Sequence, residues 1–592
     1  MRPTLSVPAG LLLLAGPAFA QFDDQWVEFA PQPGWISSPV VSSSDLETDL
    51  AWGDLDQNGL TDLVVARIQP IMQGGKRTNL LLMNENGVLT DRTLEFASAS
   101  DVVGDQGFLT PTADRDVAVA DLNGDGWLDV VTAVGFGLVA EPVPLSHPRV
   151  YINLGADGSG AWLGLRYEQA RIPVLLNGVT GLPVAARFNS VSTGDVNDDG
   201  FPDLYFGDHD ASPTSIFGGE PATLDTDDRL FLNDGNGFFT DTTATSMTAQ
   251  MVDSNFANSS SIADFNQDGV GDVLKQTNGV PGGGAAATIA YGDPAAPGTF
   301  SGFQPFYSGS PYFVSRGDLN GDGRLDVLVS ENGNDGVVYN RGNDASGQVD
   351  WSPLVPFDFL SGGDDSFASN NLVVDLDGDG LQDALVTDVD PQFSGFTRRL
   401  HIYHNRGNNP GGSALLREER ESTSNQGWIG AVGLTTQTLR GTHDVAVFDI
   451  DGDGFDDLIV SRNAGTQVYG RVTVCQPDLG FGSPGLELEV CGDELSSGNQ
   501  SSLTLSGATP STPALLIVST LSIPTFIPEL QATVAAFPPT IVSNISTDGN
   551  GEFKATINGG NGPTSVFVQF AVVNGLPTLF SLSNAVEIEL LP

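Results

Sequence analysis

Basic residues, cysteine and long apolar stretches are all scarce in this sequence, and each shortage excludes a class of protein. Lys and Arg total 24 against 74 Asp and Glu, which gives the 592 residues a formal net charge of −50 at pH 7. Because binding to a phosphate backbone needs clustered basic residues, nucleic acid is not an expected partner. Beyond the N-terminus no apolar run reaches the about 20 residues of a membrane helix, so no membrane span is predicted.

Histidine and nucleophile motifs are also sparse, which limits the case for catalysis. The chain has five His and contains neither G-x-S-x-G nor H-E-x-x-H. Catalytic sites on β-rich scaffolds can be assembled from scattered loop residues, so whether the protein is an enzyme stays open, with a non-enzymatic role favoured. No catalytic residue is predicted.

The N-terminus has the features of a secretory signal peptide over residues 1–20. Arg2 is its only charge, Leu11 to Leu14 form the apolar centre, and Ala18 and Ala20 are the small residues that precede a cleavage site. We therefore predict cleavage before Gln21 and a protein that is secreted, periplasmic or on the cell surface.

An acidic nine-residue pattern occurs seven times and is the main feature of the chain. In its clearest copy, DIDGDGFDD at residues 449–457, carboxylates occupy the first, third, fifth and ninth positions, and Gly454 permits a sharp turn. A single loop of this kind could be a solvated acidic turn, but seven copies favour binding of up to seven Ca²⁺ ions, which take oxygen ligands. The predicted metal ligands are Asp54, Asp56, Asn58 and Asp62; Asp121, Asn123, Asp125 and Asp129; Asp195, Asn197, Asp199 and Asp203; Asp264, Asn266, Asp268 and Asp272; Asp318, Asn320, Asp322 and Asp326; Asp375, Asp377, Asp379 and Asp383; and Asp449, Asp451, Asp453 and Asp457.

The residues around these loops predict strands rather than the helices of an EF-hand. An EF-hand has a bidentate Glu at position twelve, whereas position twelve here is never acidic. Unbroken apolar runs flank the loops, as in Val117 to Ala120 and Val130 to Thr132, and they indicate strands that are covered on both faces. One repeat is therefore predicted to be a four-stranded antiparallel sheet.

Seven such sheets can cover each other by packing around an axis. This predicts an all-β chain with a seven-bladed β-propeller over residues 21–472, with calcium-binding loops in the blades. The last repeat lacks an outer strand, and the segment Trp26 to Phe29 is a spare one. We predict that this N-terminal strand completes the last blade and closes the ring.

The loops and the LDVV- or LIVS-type strands that follow them resemble the FG-GAP/VCBS repeats of integrin-α-like β-propellers, over about residues 25–472. The resemblance implies seven blades, calcium in the blade loops, and a role in adhesion, ligand binding or as an accessory domain. Integrin propellers carry calcium in only some blades, whereas all seven loops here have the residues for calcium binding. In this respect the chain is more similar to bacterial secreted VCBS proteins. Asn58 in loop one and Gly271 in loop four mark these two loops as the weakest predicted sites.

Residues 473–592 contain no acidic loop and have a different pattern. Seven short apolar runs between Leu486 and Leu591, separated by Gly and Pro, predict a small β-sandwich. The only cysteines, Cys475 and Cys491, lie at its start, and with export predicted they are expected to form a disulfide.

Together these features predict a secreted calcium-binding scaffold for adhesion or ligand binding, in which calcium is structural. The partner would be an unknown protein or glycan. Two alternatives are a lectin-like module and a lyase-like enzyme acting on polysaccharides. A purely structural surface or matrix component is a third. The candidate sugar-stacking residues of a lectin-like module are Trp162, Tyr312, Phe313, Trp351 and Trp428. The tripeptide Arg316-Gly317-Asp318 is not expected to act as an adhesion motif, because Asp318 is a predicted metal ligand.

Overall fold

The structure is a computed structural model, and it describes most of the chain. The described residues are 27, 29–37, 47–68, 75–135, 143–176, 183–208, 227–254, 257–277, 286–309, 311–331, 335–356, 368–388, 400–418, 428, 439, 442–462, 465–472, 474–483, 485–492, 495, 500–527, 532–560, 562, 564–573 and 580–591. The predicted signal peptide, residues 1–20, lies outside them, as do Trp26 and Glu28 of the predicted N-terminal strand.

Two compact units divide the chain. The first, which we call the repeat unit, comprises Ala30–Leu376 and Leu381–Gly470. The second, the C-terminal unit, comprises Met1–Phe29, Asp377–Gly380 and Arg471–Pro592. Both are built from strands, and the described α-helices are four residues long. No helix in the described part of the chain has the length and apolar character that crossing a bilayer requires.

Strands β1 to β32 form the sheets of the repeats. In chain order they are β1 (Phe29–Pro31), β2 (Ile36–Ser37), β3 (Glu47–Gly53), β4 (Asp62–Ile68), β5 (Leu80–Asn84), β6 (Leu89–Asp91), β7 (Ala99–Ser100), β8 (Asp114–Ala120), β9 (Asp129–Val134), β10 (Arg149–Asn153), β11 (Leu165–Tyr167), β12 (Phe188–Gly194), β13 (Asp203–Asp208), β14 (Arg229–Asn233), β15 (Phe239–Asp241), β16 (Ser260–Ala263), β17 (Asp272–Thr277), β18 (Ala286–Gly292), β19 (Phe300–Tyr307), β20 (Pro311–Gly317), β21 (Asp326–Glu331), β22 (Gly336–Val338), β23 (Asn340–Asn343), β24 (Val349–Trp351), β25 (Val355–Pro356), β26 (Ala368–Val374), β27 (Asp383–Asp388), β28 (Leu400–Asn408), β29 (Ala414–Glu418), β30 (Thr442–Phe448), β31 (Asp457–Arg462) and β32 (Gln467–Arg471). The helices are α1 (Thr93–Phe96), α2 (Val143–Ser146), α3 (Thr243–Ser246) and α4 (Ala249–Val252), with 3₁₀ turns at Gly107–Leu109 and Gln169–Arg171.

Each acidic loop belongs to one sheet whose strands follow the chain order. The third sheet has the order β12-β13-β14-β15, and the fourth β16-β17-β18-β19. Their paired strands are antiparallel, as predicted. The first two sheets differ from the prediction because each gains a short fifth strand that runs parallel to its neighbour, β2 beside β6 and β7 beside β11. In the fifth repeat, β23 and β24 form a separate hairpin.

Apolar residues on both faces of the middle strands make each sheet pack against a neighbour on either side. All six residues of β9 are buried, as are those of β13 and β17. The prediction of doubly covered strands is therefore confirmed. Between the second and third sheets, Val131 and Val150 share an apolar cluster with Leu204 and Phe231. Burial of such side chains contributes about 1.5–3 kcal/mol each.

The first strands of the seven sheets, which we call the inner strands, contact one another in a cyclic order. β3 contacts β8, β8 contacts β12, β12 contacts β16, β16 contacts β20, β20 contacts β26, and β26 contacts β30. β30 in turn contacts β3. An apolar cluster joins the same first and last sheets, with Leu63 and Leu82 packed beside Ile459 and Val468. The first repeat thus packs directly on the seventh, from which it is separated by more than 350 residues of chain.

The N-terminal strand β1 lies in the last sheet, whose order is β1-β32-β31-β30. The Gln32 N–H donates to the Val468 carbonyl oxygen at 2.9 Å. The strand therefore completes the last sheet as predicted, and its described part begins at Phe29.

Two sheets of the C-terminal unit share one apolar core. Leu488 and Leu503 of one sheet pack beside Leu516, Phe570 and Ile588 of the other. Its strands are β33 (Val474–Cys475), β34 (Asp478–Gly480), β35 (Glu487–Gly492), β36 (Gln500–Ser506), β37 (Pro513–Ser519), β38 (Thr525–Ile527), β39 (Ala532–Val534), β40 (Ile541–Ser546), β41 (Phe553–Asn558), β42 (Thr564–Val573), β43 (Phe580–Leu582) and β44 (Ala585–Leu590). The sheet orders are β33-β35-β36-β41 and β34-β44-β42-β37-β40. Cys475 on β33 and Cys491 on β35 are direct cross-strand partners and form a disulfide.

Candidate metal-binding loops

All seven acidic loops occupy the same place in their sheets. Each begins with the residue after an inner strand and ends on the first residue of the next strand, as Asp121 follows β8 and Asp129 opens β9. A short connection between two antiparallel strands brings its own side chains together, which is why alternate positions of the loop can face one point.

The chain wraps around the carboxylate at the first position. In loop two, Asp121 accepts the N–H of Gly124 on Oδ1 and that of Gly126 on Oδ2, both at 2.8 Å. The glycine at the sixth position makes the second of these bonds in loops one to five and seven, at 2.7–2.9 Å. Gly126 has a φ of +87°, which side chains with a Cβ rarely adopt. The glycine is therefore needed for the wrap, as the sequence predicts.

The third and fifth positions are oriented by the loop backbone. In loop two, Asn123 Oδ1 accepts the N–H of Asp125 at 3.0 Å, and Asp125 Oδ1 accepts that of Trp127 at 2.9 Å. In loops two to five the third residue is Asn, and its amide donates to the carboxylate at position five at 2.9–3.1 Å. These contacts use one lone pair of each oxygen, so further lone pairs are available to a cation.

The donor sets fit a calcium ion. Asp54, Asp56 and Asp62 in loop one can bring one oxygen each within 4.8 Å of one another, and Asp449, Asp451 and Asp453 in loop seven can do the same. Because calcium–oxygen distances are about 2.3–2.6 Å, two ligand atoms of one ion lie at most about 5 Å apart. The ligands are oxygen atoms, mostly charged, as a hard divalent cation requires.

Loop six is divided between the two units. Within the repeat unit, Asp383 accepts the N–H of Leu376 at 2.9 Å. Within the C-terminal unit, Asp377 accepts the N–H of Asp379 at 3.0 Å. Asp375, the first predicted ligand, belongs to the repeat unit.

The aspartate at the ninth position is buried in every loop. In loops one to six it accepts two backbone N–H groups. Asp203 accepts the N–H of Val196 on Oδ2 at 3.0 Å and that of Asn233 on Oδ1 at 2.8 Å. Burial raises the pKa of the five carboxyls Asp62, Asp129, Asp203, Asp272 and Asp326 to about 7. A nearby divalent cation would favour their ionised form instead. The ninth residue therefore shapes the loop, and its assignment as a metal ligand stays a prediction.

An asparagine in five of the repeats connects neighbouring loops. Its N–H donates to the ninth aspartate of its own repeat, and its side-chain Nδ2 donates to the carbonyl oxygen of the second loop residue in the preceding repeat. We call this residue the Asn latch. The five latches are Asn84 to Ile450 at 2.9 Å, Asn153 to Leu55 at 2.8 Å, Asn233 to Leu122 at 2.7 Å, Asn340 to Phe265 at 2.8 Å and Asn405 to Leu319 at 2.7 Å. The recurrence of Asn at the end of the third strand was the signal in the sequence.

Loop four was predicted to be weak because Gly271 precedes its ninth aspartate. A Cβ at this glycine would lie 2.5 Å from the carbonyl oxygen of Asp195 in loop three. The glycine therefore permits close packing of two neighbouring loops, and this gives it a structural reason that is separate from metal affinity.

The three tryptophans proposed for sugar stacking are packed within the protein. Trp162 donates to Asn153 Oδ1 at 2.8 Å and lies against Phe96, with 4.9 Å between ring centroids. Trp351 stacks on Phe306 at 4.5 Å. Trp428 is buried. These three side chains therefore do not favour the lectin alternative, whereas Tyr312 and Phe313 on β20 are only partly buried.

Comparison with known proteins identifies the repeats. A sequence model described as an FG-GAP-like repeat matches residues 54–132 and 318–386, which include loops one, two, five and six. The chain contains FG-GAP-like repeats. No curated protein matches the chain.

Solved structures are similar only at a low level. One, titled as a cryo-EM structure of RAG with one melted and one unmelted RSS, is 14% identical over 65% of this chain and 97% of that chain, with a TM-score of 0.35. Another, a Photorhabdus luminescens Tc holotoxin pore, is 11% identical over 89% of this chain and 28% of that chain, with a TM-score of 0.30. Similarity at this level carries no argument about this protein.

Proposed function

We propose that the repeat unit is a closed seven-bladed β-propeller whose blade loops bind structural calcium, and that it serves outside the cytoplasm as an adhesion or ligand-binding scaffold. The observation that carries the proposal is the contact of the first repeat with the seventh. The inner strands β3 and β30 touch, and Asn84 donates to Ile450 in loop seven. A sheet that is apolar on both faces needs two neighbours, and a closed ring gives every sheet both of them.

Calcium is proposed because the loops concentrate negative charge. At the predicted ligand positions, five loops supply three carboxylates each and two supply four, which is 23 of the 74 acidic residues. Seven divalent ions would offset fourteen of these charges. Without them, repulsion inside each loop opposes the tight turns that the backbone makes.

An extracellular location agrees with weak calcium sites and with the disulfide. Extracellular calcium modules have dissociation constants of about 10⁻⁴–10⁻³ M, and such sites fill where calcium is abundant. The bond between Cys475 and Cys491 is of a kind that persists in oxidising compartments. Both points support export, which the predicted signal peptide would direct.

A calcium titration tests the metal part of the proposal. The chelator-stripped protein, residues 21–592, should take up several calcium ions per chain in equilibrium dialysis, approaching seven at saturation. Uptake of one ion or none would contradict it.

Binding arrays test the scaffold part. With calcium present, the protein should bind selected members of a panel of extracellular proteins and glycans, and chelator should abolish that binding. Incubation with polyanionic polysaccharides, monitored for unsaturated products, tests the lyase alternative, which product formation would favour over a scaffold.

A further inference from the structure

The Asn latches place one residue between two metal loops. Asn233 in the third repeat has its N–H on Asp203, the ninth residue of loop three, at 2.8 Å. Its Nδ2 donates to the carbonyl oxygen of Leu122 in loop two at 2.7 Å. The Leu122 N–H is itself bound to Asp129, the ninth residue of loop two, at 2.9 Å. Leu122 is thus held from its own repeat on one side and from the next repeat on the other.

A turn-forming role explains only part of what this asparagine does. Asn233 Oδ1 accepts the N–H of Gly235 at 3.0 Å, an ordinary turn contact of Asn. That contact uses only the oxygen, while the amide nitrogen also donates to the Pro202 carbonyl oxygen of its own repeat at 2.9 Å. In all five latches the nitrogen nevertheless donates to the same position of the preceding loop.

In the fourth repeat, where the latch asparagine is missing, the carbonyl of the second residue in the preceding loop still has a hydrogen-bond donor. Gly292 occupies the latch position, and its N–H binds Asp272 at 3.0 Å as the latch does elsewhere. The preceding loop offers the Val196 carbonyl, which is bound by the backbone N–H of Gly298 at 2.9 Å. A different donor fulfils the same role, so the bond belongs to the loop rather than to the asparagine.

We propose that the Asn latches are positioning residues for calcium, so that each loop reaches its full affinity only when the following blade is docked against it. This rests on the proposed calcium function and extends it. Coupling is reciprocal in equilibrium binding, so calcium in one loop also stabilises the docking of the next blade. At the junction of the last and first repeats, Asn84 donates to Ile450, and this makes loop seven the site that reports ring closure.

Loop two allows a direct test because it contains a built-in reporter. Trp127, at its seventh position, is the only tryptophan in the seven loops. Terbium replaces calcium in oxygen sites and emits when a nearby tryptophan is excited. The part of the terbium emission that the W127F variant loses should therefore report loop two, because Trp52 precedes loop one by two residues and can sensitise terbium there.

Two matched variants distinguish the loss of the latch at loop two from a general loss of stability. Asn233→Ala removes the donor to loop two, whereas Asn340→Ala removes an equivalent donor to loop four together with the same turn contact, here from Gly342. We expect N233A to weaken terbium binding at loop two by about fivefold or more, the range of ordinary coupling energies. N340A should leave that affinity unchanged.

Equal affinities in wild type and N233A would overturn the coupling while leaving the calcium proposal intact. Absence of terbium binding in wild type would overturn the calcium proposal and the coupling with it. If N233A does not fold, Asn233→Asp replaces it, with Asn340→Asp as its control. The aspartate keeps the oxygen that accepts Gly235 but has no amide to donate, so N233D should show the same loss, and its absence would contradict the inference.

Discussion

At the scale of single residues, the ninth aspartate of each loop shows how burial gives a predicted metal ligand a structural role as well. Asp203 has no solvent exposure, and each of its oxygens pairs with a buried backbone donor. Removing this carboxylate would leave two N–H groups without partners inside the protein. The residue therefore stabilises the fold even without metal.

The Asp203→Ala variant tests this role. We expect the free energy of unfolding to fall by about 2–5 kcal/mol, because each unsatisfied buried donor costs about 1–3 kcal/mol. The measurement is urea unfolding in EDTA, which removes any contribution of calcium. The control is Asp198→Asn, which takes the same charge from the same loop at a position with no buried donors. A similar stability for both variants would refute the assignment.

Asp116 on β8 allows a pH prediction at a site away from the loops. It accepts the Val191 N–H at 2.7 Å and is hydrogen-bonded to Asp49, which requires a proton on one of the two carboxyls. Burial, the largest cause, raises the pKa of Asp116 to about 6, and the carboxylate of Asp444 adds to the effect. Because the folded pKa exceeds the unfolded value of about 3.9, the folded state binds the proton more tightly. The contribution of Asp116 to the free energy of unfolding is therefore greatest at low pH, and it falls as pH rises through about 4 to 6.

The Asp116→Asn variant should lose part of this dependence. At saturating calcium, wild type should be less stable at pH 8 than at pH 5, with about 1.4 kcal/mol attributable to Asp116, because about one pH unit of its loss lies between pH 5 and the folded pKa of about 6. Since the amide oxygen still accepts the Val191 N–H, the variant should show a smaller difference. Melting temperatures at both pH values give the comparison, and identical pH dependence in the two proteins would contradict the prediction.

At the scale of elements, the sequence predicts the acidic loops well because their geometry is local. The spacing of carboxylates around a glycine dictates where each loop begins and ends, and the structure has strands on both sides. The latches could not be inferred, because Asn84 and Ile450 are brought together only by the fold. The short strands β2 and β7 were missed, since two residues beside a neighbouring strand have no periodicity to recognise.

The extent of the N-terminal strand could not be predicted for a similar reason. Apolar content favoured Trp26–Phe29, whereas the described strand continues to Pro31, because its backbone partner β32 decides where it ends. In the C-terminal unit, the strand β40 was missed because its residues alternate between partly buried and exposed positions without a strong apolar face.

Deletion of residues 21–33 should lower the melting temperature sharply. It removes β1 and the bond from Gln32 to Val468, and so leaves an unpaired edge on the last sheet. Differential scanning calorimetry measures the loss. Adding the deleted segment as a peptide should restore part of it, whereas an unchanged melting temperature would contradict closure by this strand.

We expect the disulfide to stabilise the C-terminal unit, to which both cysteines belong. In the chain-entropy model, linking Cys475 to Cys491, 16 residues apart, contributes about 3 kcal/mol. Replacing both cysteines with serine should increase hydrogen exchange in β35 while β9 in the repeat unit keeps its protection. Equal loss of protection in both strands, or none in either, would show that the cross-link does not act locally.

At the scale of the whole molecule, the proposed calcium ions would affect both the net charge and the proposed closure of the ring. A formal charge of −50 opposes compactness, and the loops that carry 23 of the acids at their predicted ligand positions also support the contacts between neighbouring sheets. At calcium tenfold above the dissociation constant, each filled site adds about 1.4 kcal/mol. Seven sites together would then contribute a large share of the about 5–15 kcal/mol by which proteins are typically stable.

The most direct measurement is the melting temperature and hydrodynamic radius of residues 21–592 in millimolar calcium and after treatment with EDTA. The account predicts that chelation lowers the melting temperature by many degrees and expands the chain, and that added calcium reverses both changes. A chelated protein that kept its compactness and its heat resistance would contradict the claim that divalent cations hold the repeats together.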